Sequence, residues 1–346
     1  MIRTWPSVGV VWCLAIASTA LGQPNIADLV RNANLTREDK DRIGGWVDEK
    51  TAALLRGTAA ARARIRDEAV RLYQTAEATP AFREQLAAEC GRAWARPASG
   101  EDFEVAHTLI LGLLEMPSPG VRAGLESGLQ SPHAAVRYWA ARGIAGLRPQ
   151  MKSATEYETV LNSLGQAGAA ETDPIALRMI YEAIDFPAAA PQFAGAEAVA
   201  QSLATVFRGR LERLAGQPRN EEADRAGFAA AARVYPEVKD PALRAQLVTA
   251  LARFLALHAE RYVELGPEGA GPTLSDTAAR CEEALRAMIE ATRGAPQPPT
   301  ERVSERMRAK ADREATRAAL AAWIGGEGGS GVLNQSPWNV PPGLKE

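Results

Sequence analysis

The chain of 346 residues predicts an all-α fold, on three observations. Alanine fills roughly a fifth of it, aromatic residues only 6%, and no stretch alternates apolar and polar residues over a strand's length. Alanine is the strongest helix former and lets neighbouring helices approach closely. A sandwich or barrel would instead need many valine, threonine and tyrosine positions. Apolar residues make up 46% and charged residues 24%, ordinary proportions for a globular chain with a sizeable core. Forty basic against 42 acidic residues leave a formal net charge of −2. Such a balance sets up no field that would draw in nucleic acid or an anionic membrane, so no nucleic-acid partner is expected.

The first 22 residues read as a secretory signal peptide. Arg3 supplies the positive start and residues 8–16 (VGVVWCLAI) the short apolar core. Ala20-Leu21-Gly22 then places small residues where a signal peptidase inspects the chain, with cleavage before Gln23. The apolar run is about half of the ~20 residues needed to span a bilayer, so no transmembrane anchor is expected. Arginine outnumbers lysine 34 to 6, which together with the alanine content suggests a GC-rich bacterial genome. The expected location is therefore periplasmic or extracellular.

Residues 23–35 form an N-terminal segment, and from Thr36 the pattern is helix after helix to residue 324. Thr36 is a plausible N-cap with Glu38 and Asp39 in the first turn, and Ile43, Val47 and Leu54 follow at helical intervals. Further helices are expected at 58–76, at 79–95 with Pro80 in the first position, and at 102–116, 118–130 and 131–147. The series continues at 154–167, 172–185, 194–215, 221–235, 240–263, 275–293 and 300–324, about thirteen helices in all. After Trp323 the chain turns to glycine and proline, and residues 325–346 are expected to form a flexible tail.

One phrase recurs at helix starts: Ser118-Pro119 followed by Val121-Arg122, Ser131-Pro132 by Val136-Arg137, Asp173-Pro174 by Leu177-Arg178, and Asp240-Pro241 by Leu243-Arg244. Each supplies a cap, a proline in the first turn and an aliphatic–arginine pair. In the best copy, 131–147, the residues Val136, Ala140, Gly143, Ile144 and Leu147 share one stripe. This copy resembles the HEAT repeats, in particular the PBS-lyase HEAT-like repeats of the armadillo-type class. Their second helix reads as a capping Asp or Ser, then Val-Arg, Ala-Ala and Ala-Leu-Gly. Here Ser131, Val136-Arg137, Ala140-Ala141 and Ala145-Gly146-Leu147 match, with glycine before the last leucine instead of after it. The resemblance covers residues 117–185 best. It implies an irregular α-solenoid of helix pairs, although successive aliphatic positions are 15, 41 and 66 residues apart and only the middle step fits a repeat of about 40. The label names a repeat shape and implies no bilin chemistry.

The chemistry-bearing residues are sparse. His107, His133 and His258 are the only histidines, and no His-Glu-x-x-His, Cys-x-x-Cys, Gly-Lys phosphate loop or Gly-x-Ser-x-Gly elbow occurs. No catalytic, cofactor-binding or metal-ligating residue is therefore picked out, and no cofactor is expected. His107 reads as a packing residue, His133 as solvent-facing, and His258, beside Glu260 and Arg261, as lying on an exposed face. Trp139, three residues after Val136, reads as either core or a groove anchor, and Trp338 in the tail is hard to place as core. These two tryptophans are the candidates for partner contact. Cys90 and Cys281 could pair in an oxidising compartment or remain buried thiols. The leading functional expectation is an exported, non-enzymatic helical-repeat scaffold that binds a protein partner in the cell envelope. The alternative is an envelope enzyme on an α-helical toroid or repeat scaffold, acting on polysaccharide or peptide.

Overall fold

A computed structural model describes residues 25–151, 153–185, 195–216, 221–326 and 329–341. The expected signal peptide, residues 1–22, lies outside them. The fold is all-α, and the described residues contain no strand beyond one isolated bridge between Gly326 and Gly329. The helices are α1 (Arg37–Arg56), α2 (Ala59–Gln74), α3 (Pro80–Ala98), α4 (Phe103–Leu114), α5 (Arg122–Gly128), α6 (Ala134–Leu147) and α7 (Ala154–Ala170). They continue with α8 (Pro174–Ile184), α9 (Ala196–Gly216), α10 (Asp224–Val234), α11 (Pro241–Gly269), α12 (Pro272–Glu290), α13 (Val303–Arg308) and α14 (Arg313–Ile324).

Capping chemistry sets most of the boundaries. Thr36 and Asp39 form a reciprocal capping box at the start of α1. Thr58, Thr79, Asp102, Ser153, Asp173, Asp240 and Asp312 each accept a backbone N–H at the start of their helices. Several boundaries differ from the periodicity: α5 is shorter than the expected 118–130 helix, and α11 and α12 extend into the 264–274 stretch expected to lie between helices. The expected 300–324 helix is two, because Lys310 takes a left-handed conformation (φ 53°) and Asp312 then caps α14 afresh. In α6 the helix begins at Ala134, while the Ser131 hydroxyl accepts from the His133 N–H just ahead of it.

Helix ends are closed by arginines from other elements. Arg83 donates to the carbonyls of Tyr73 and Thr75 after α2, Arg148 to those of Ala183 and Asp185 at the end of α8, and Arg213 to those of Ala169 and Glu171 at the end of α7. The last carbonyls of a helix have no intrahelical donor, and a guanidinium can supply several N–H groups at once. Arginine's excess over lysine thus has a structural use here.

Most helices pack on the helix two places along, and many also on their successor in the chain, although α6 and α7, and α10 and α11, scarcely touch. One row runs α2, α4, α6, α8, α10, α12; the other places α1 on α3, α3 on α5, α7 on α9, α9 on α11 and α11 on α14. The second row is thinnest between α5 and α7, which meet through Arg122 and Glu156 (3.5 Å) and through Ser163 and Glu126 (3.5 Å). Small residues allow the close approaches. A side chain on Gly209 of α9 would run into the Ala169 backbone of α7, its Cβ 2.5 Å from the carbonyl oxygen.

Segments outside the helices cover both ends. Ile26, Leu29 and Val30 are buried, and the Thr79 N–H and hydroxyl donate to the carbonyls of Val30 and Asn32. At the other end, the expectation of a flexible tail is corrected for residues 329–341. Leu333, Trp338 and Val340 are buried, and the Trp338 Nε1–H donates to the Tyr235 hydroxyl at 2.9 Å. Three large apolar groups within eight residues gain enough burial to hold a glycine-rich segment that composition alone reads as disordered.

Candidate partner-binding surfaces

The two tryptophans have different fates. Trp139 on α6 is half-buried, edge-on to Tyr138 at 5.1 Å, with the Arg142 guanidinium 5.0 Å from its ring. The stripe beside it (Val136, Ala140, Gly143, Ile144 and Leu147) is buried, while Arg142 is exposed. Trp139 therefore roots in the core and keeps part of its ring at the surface. Trp338 is corrected as a partner contact: its indole is 5% exposed and its N–H is taken by Tyr235 of the same chain.

Two histidines that the sequence left apart come together in the structure. His107 on α4 and His133, just ahead of α6, both meet Phe103 at the start of α4. His107 stacks on its ring at 5.2 Å, and His133 lies edge-on at 5.3 Å with Nε2 2.9 Å from the Glu101 carbonyl. Phe103 is 44% exposed, so this is a small aromatic patch at the surface. Burial, and secondarily the positive charge of Arg66, lowers the His107 pKa.

His258 is the clearest correction, because it is fully buried instead of exposed. Its ring lies 6.3 Å from Phe254 and 6.4 Å from Phe228, and neither nitrogen has a hydrogen-bond partner among the described residues. Burial, with Arg210 and Arg225 adding repulsion, pushes its pKa down to about 3, so the ring is held neutral. The signal was in the sequence. Leu247, Leu251, Phe254, Leu255, His258 and Tyr262 recur along one side of α11, a stronger indication than the charged neighbours at 260 and 261.

Near His258 is a sealed ionic group that the sequence did not reveal. Asp224 on α10 receives two bonds from Arg210 of α9 (3.0 and 2.8 Å) and one from the Tyr181 hydroxyl of α8 (2.9 Å). Asp224 and Arg210 are buried, and desolvation raises the Asp224 pKa against the lowering effect of its partners. Three donors committed to one carboxylate form a strut between α8, α9 and α10. Glu171 has a similar role, receiving both arms of Arg137 (2.7 and 2.6 Å) and the N–H groups of Thr172 and Asp173.

Among the described residues, no three or more His, Cys, Asp or Glu side chains are grouped as metal donors. Cys90 and Cys281 are separate buried thiols on α3 and α12. A shallow depression of about 550 Å³ lies against α8 and α10, where Ile175 is 66% exposed. Its cations are already engaged: Arg178 with Glu182 at 2.9 Å, Arg280 with Glu283 at 2.8 Å, and Arg225 with the Thr277 hydroxyl and Thr273 carbonyl. No helix among the described residues is long and apolar enough to cross a membrane. Compared with known protein families, curated proteins and solved structures, the chain matches none.

Proposed function

We propose that this chain is an exported, non-enzymatic scaffold of HEAT-like helix pairs that presents its surface to a protein partner in the cell envelope. The supporting observation is the packing order, in which most helices rest on the helix two places along and many also on their successor. Stacking of this kind is the construction principle of helical solenoids, which bind partners along extended faces. Export rests on the residue 1–22 pattern. The site chemistry agrees with a binding role, since the buried titratable groups Asp224, Glu171 and His258 are either tied into the frame or sealed from solvent. Trp139, half-exposed beside Tyr138 and Arg142, is the residue of the α6 face best suited to anchor a partner, because aromatic and arginine side chains dominate interface energetics.

The test is affinity capture from the native envelope fraction with the chain starting at Gln23, paired with its Trp139→Ala variant. The expected result is one reproducible partner that the variant loses while its helical content is retained. Capture of no partner by either chain, together with turnover of an envelope polysaccharide or peptide, would overturn the reading.

A further inference from the structure

Between α9 and α11 runs a groove of about 320 Å³ with a different character from the α8–α10 depression. Its floor is built from small residues, with Ala204 from α9 and Ala245 from α11, so a visiting chain can come close to both helices. Its walls carry Arg208, Arg253, Gln246 and Thr249. Among the described residues no acidic side chain lines it. Arg208 is exposed and makes no hydrogen bond or ion pair among the described residues, whereas the cations at the α8–α10 depression all have partners.

We propose that the α9–α11 groove is the docking site for a short acidic segment of the protein partner, with a carboxylate side chain received by Arg208. The inference rests on the scaffold reading and gives its partner a chemistry. A guanidinium offers a carboxylate two parallel N–H donors, and Gln246 and Thr249 can bond the visitor's backbone. A volume of this size holds a few side chains and excludes a bulky domain. The lining also favours peptide over polysaccharide. Sugar rings are gripped by stacking their C–H faces on aromatic rings, and no Trp, Tyr or Phe lines this groove among the described residues.

The experiment uses the chain from Gln23 onward and two fluorescein-labelled probes, an (Ala-Glu)4 peptide and an (Ala-Lys)4 peptide, read by fluorescence anisotropy. The acidic probe should bind at 50 mM salt and weaken as salt rises, with the basic probe at least tenfold weaker. Arg208→Glu, which removes an exposed charge without cutting a bond, should lose at least tenfold in affinity. Ala245→Trp, which plugs the groove, should do the same, and Arg280→Glu on α12 should stay within twofold. Equal binding of both probes, undiminished binding by Arg208→Glu, or no acidic binding at millimolar peptide would overturn the site. So would an acidic polysaccharide binding in the peptide's place, or self-association of the chain broken by Arg208→Glu. The two readings fail separately: an envelope partner captured as well by Arg208→Glu as by the native chain removes the groove and leaves the scaffold.

Discussion

Ile144 and Arg142 lie two positions apart on α6 in opposite surroundings, the first 1% exposed and the second an exposed side chain beside the Trp139 ring. Ile144→Ala should cost about 2–5 kcal/mol through lost burial and the cavity left behind. Arg142→Ala removes only the contact with the Trp139 ring and should cost about 1 kcal/mol or less. Chemical denaturation of the two variants checks this difference. His258 makes a second prediction, about pH. Its pKa is about 3 in the folded chain against 6.5 when solvated, so the unfolded chain binds the extra proton between those values. Its favourable share of stability is complete above about pH 6.5 and is lost progressively as the pH falls toward 3. At pH 5 the loss is about 2 kcal/mol, from 1.36 kcal/mol per pKa unit. Asp224 and Glu282, whose pKa values are raised by desolvation, act in the opposite sense. The clean measurement is therefore the difference between native chain and His258→Leu from pH 7.5 to 5. The native chain should lose about 2 kcal/mol more than the variant, and parallel curves would show that the imidazole is not sealed.

At the scale of elements, the C-terminal segment behaves as part of the core. Trp338→Ala should cost about 3–5 kcal/mol, the range for emptying a large aromatic site. Ending the chain at Gly325 should lower the melting temperature with most helical signal retained, and an unchanged melt would show that the segment adds nothing. Arg148 gives a matching test of helix closure. Arg148→Met removes the donors to Ala183 and Asp185, should cost about 1–3 kcal/mol, and should speed amide exchange at the end of α8 first. The periodic patterns explain which elements were legible in sequence. Caps at Thr36, Thr79, Asp173 and Asp240, and the α6 stripe from Val136 to Leu147, all depend on neighbours within a turn or two. The less legible features depend on distant partners: Trp338 meets Tyr235 across 103 positions, and Arg210, Asp224 and Tyr181 converge from three helices. The groove between α9 and α11 was invisible for the same reason, since its two walls are separate helices.

Across the whole molecule, the packing order predicts how damage spreads. Where helices contact their near neighbours in two rows, a local fault should loosen its surroundings and leave remote helices protected. Gly143 is the place to introduce one. A Cβ there would already lie 2.8 Å from Leu125 Cδ2 and 3.0 Å from Leu114 Cδ2, so Gly143→Leu must push α5 and α4 away from α6. Overpacking of this kind costs about 1–3 kcal/mol. Hydrogen–deuterium exchange of Gly143→Leu against the native chain therefore tests the central claim most directly. The predicted result is faster exchange in α4, α5 and α6, with α10, α11 and α12 as protected as before. An equal loss of protection from α1 through α14 would contradict it, and would mark the chain as a single cooperative bundle instead of a stacked array.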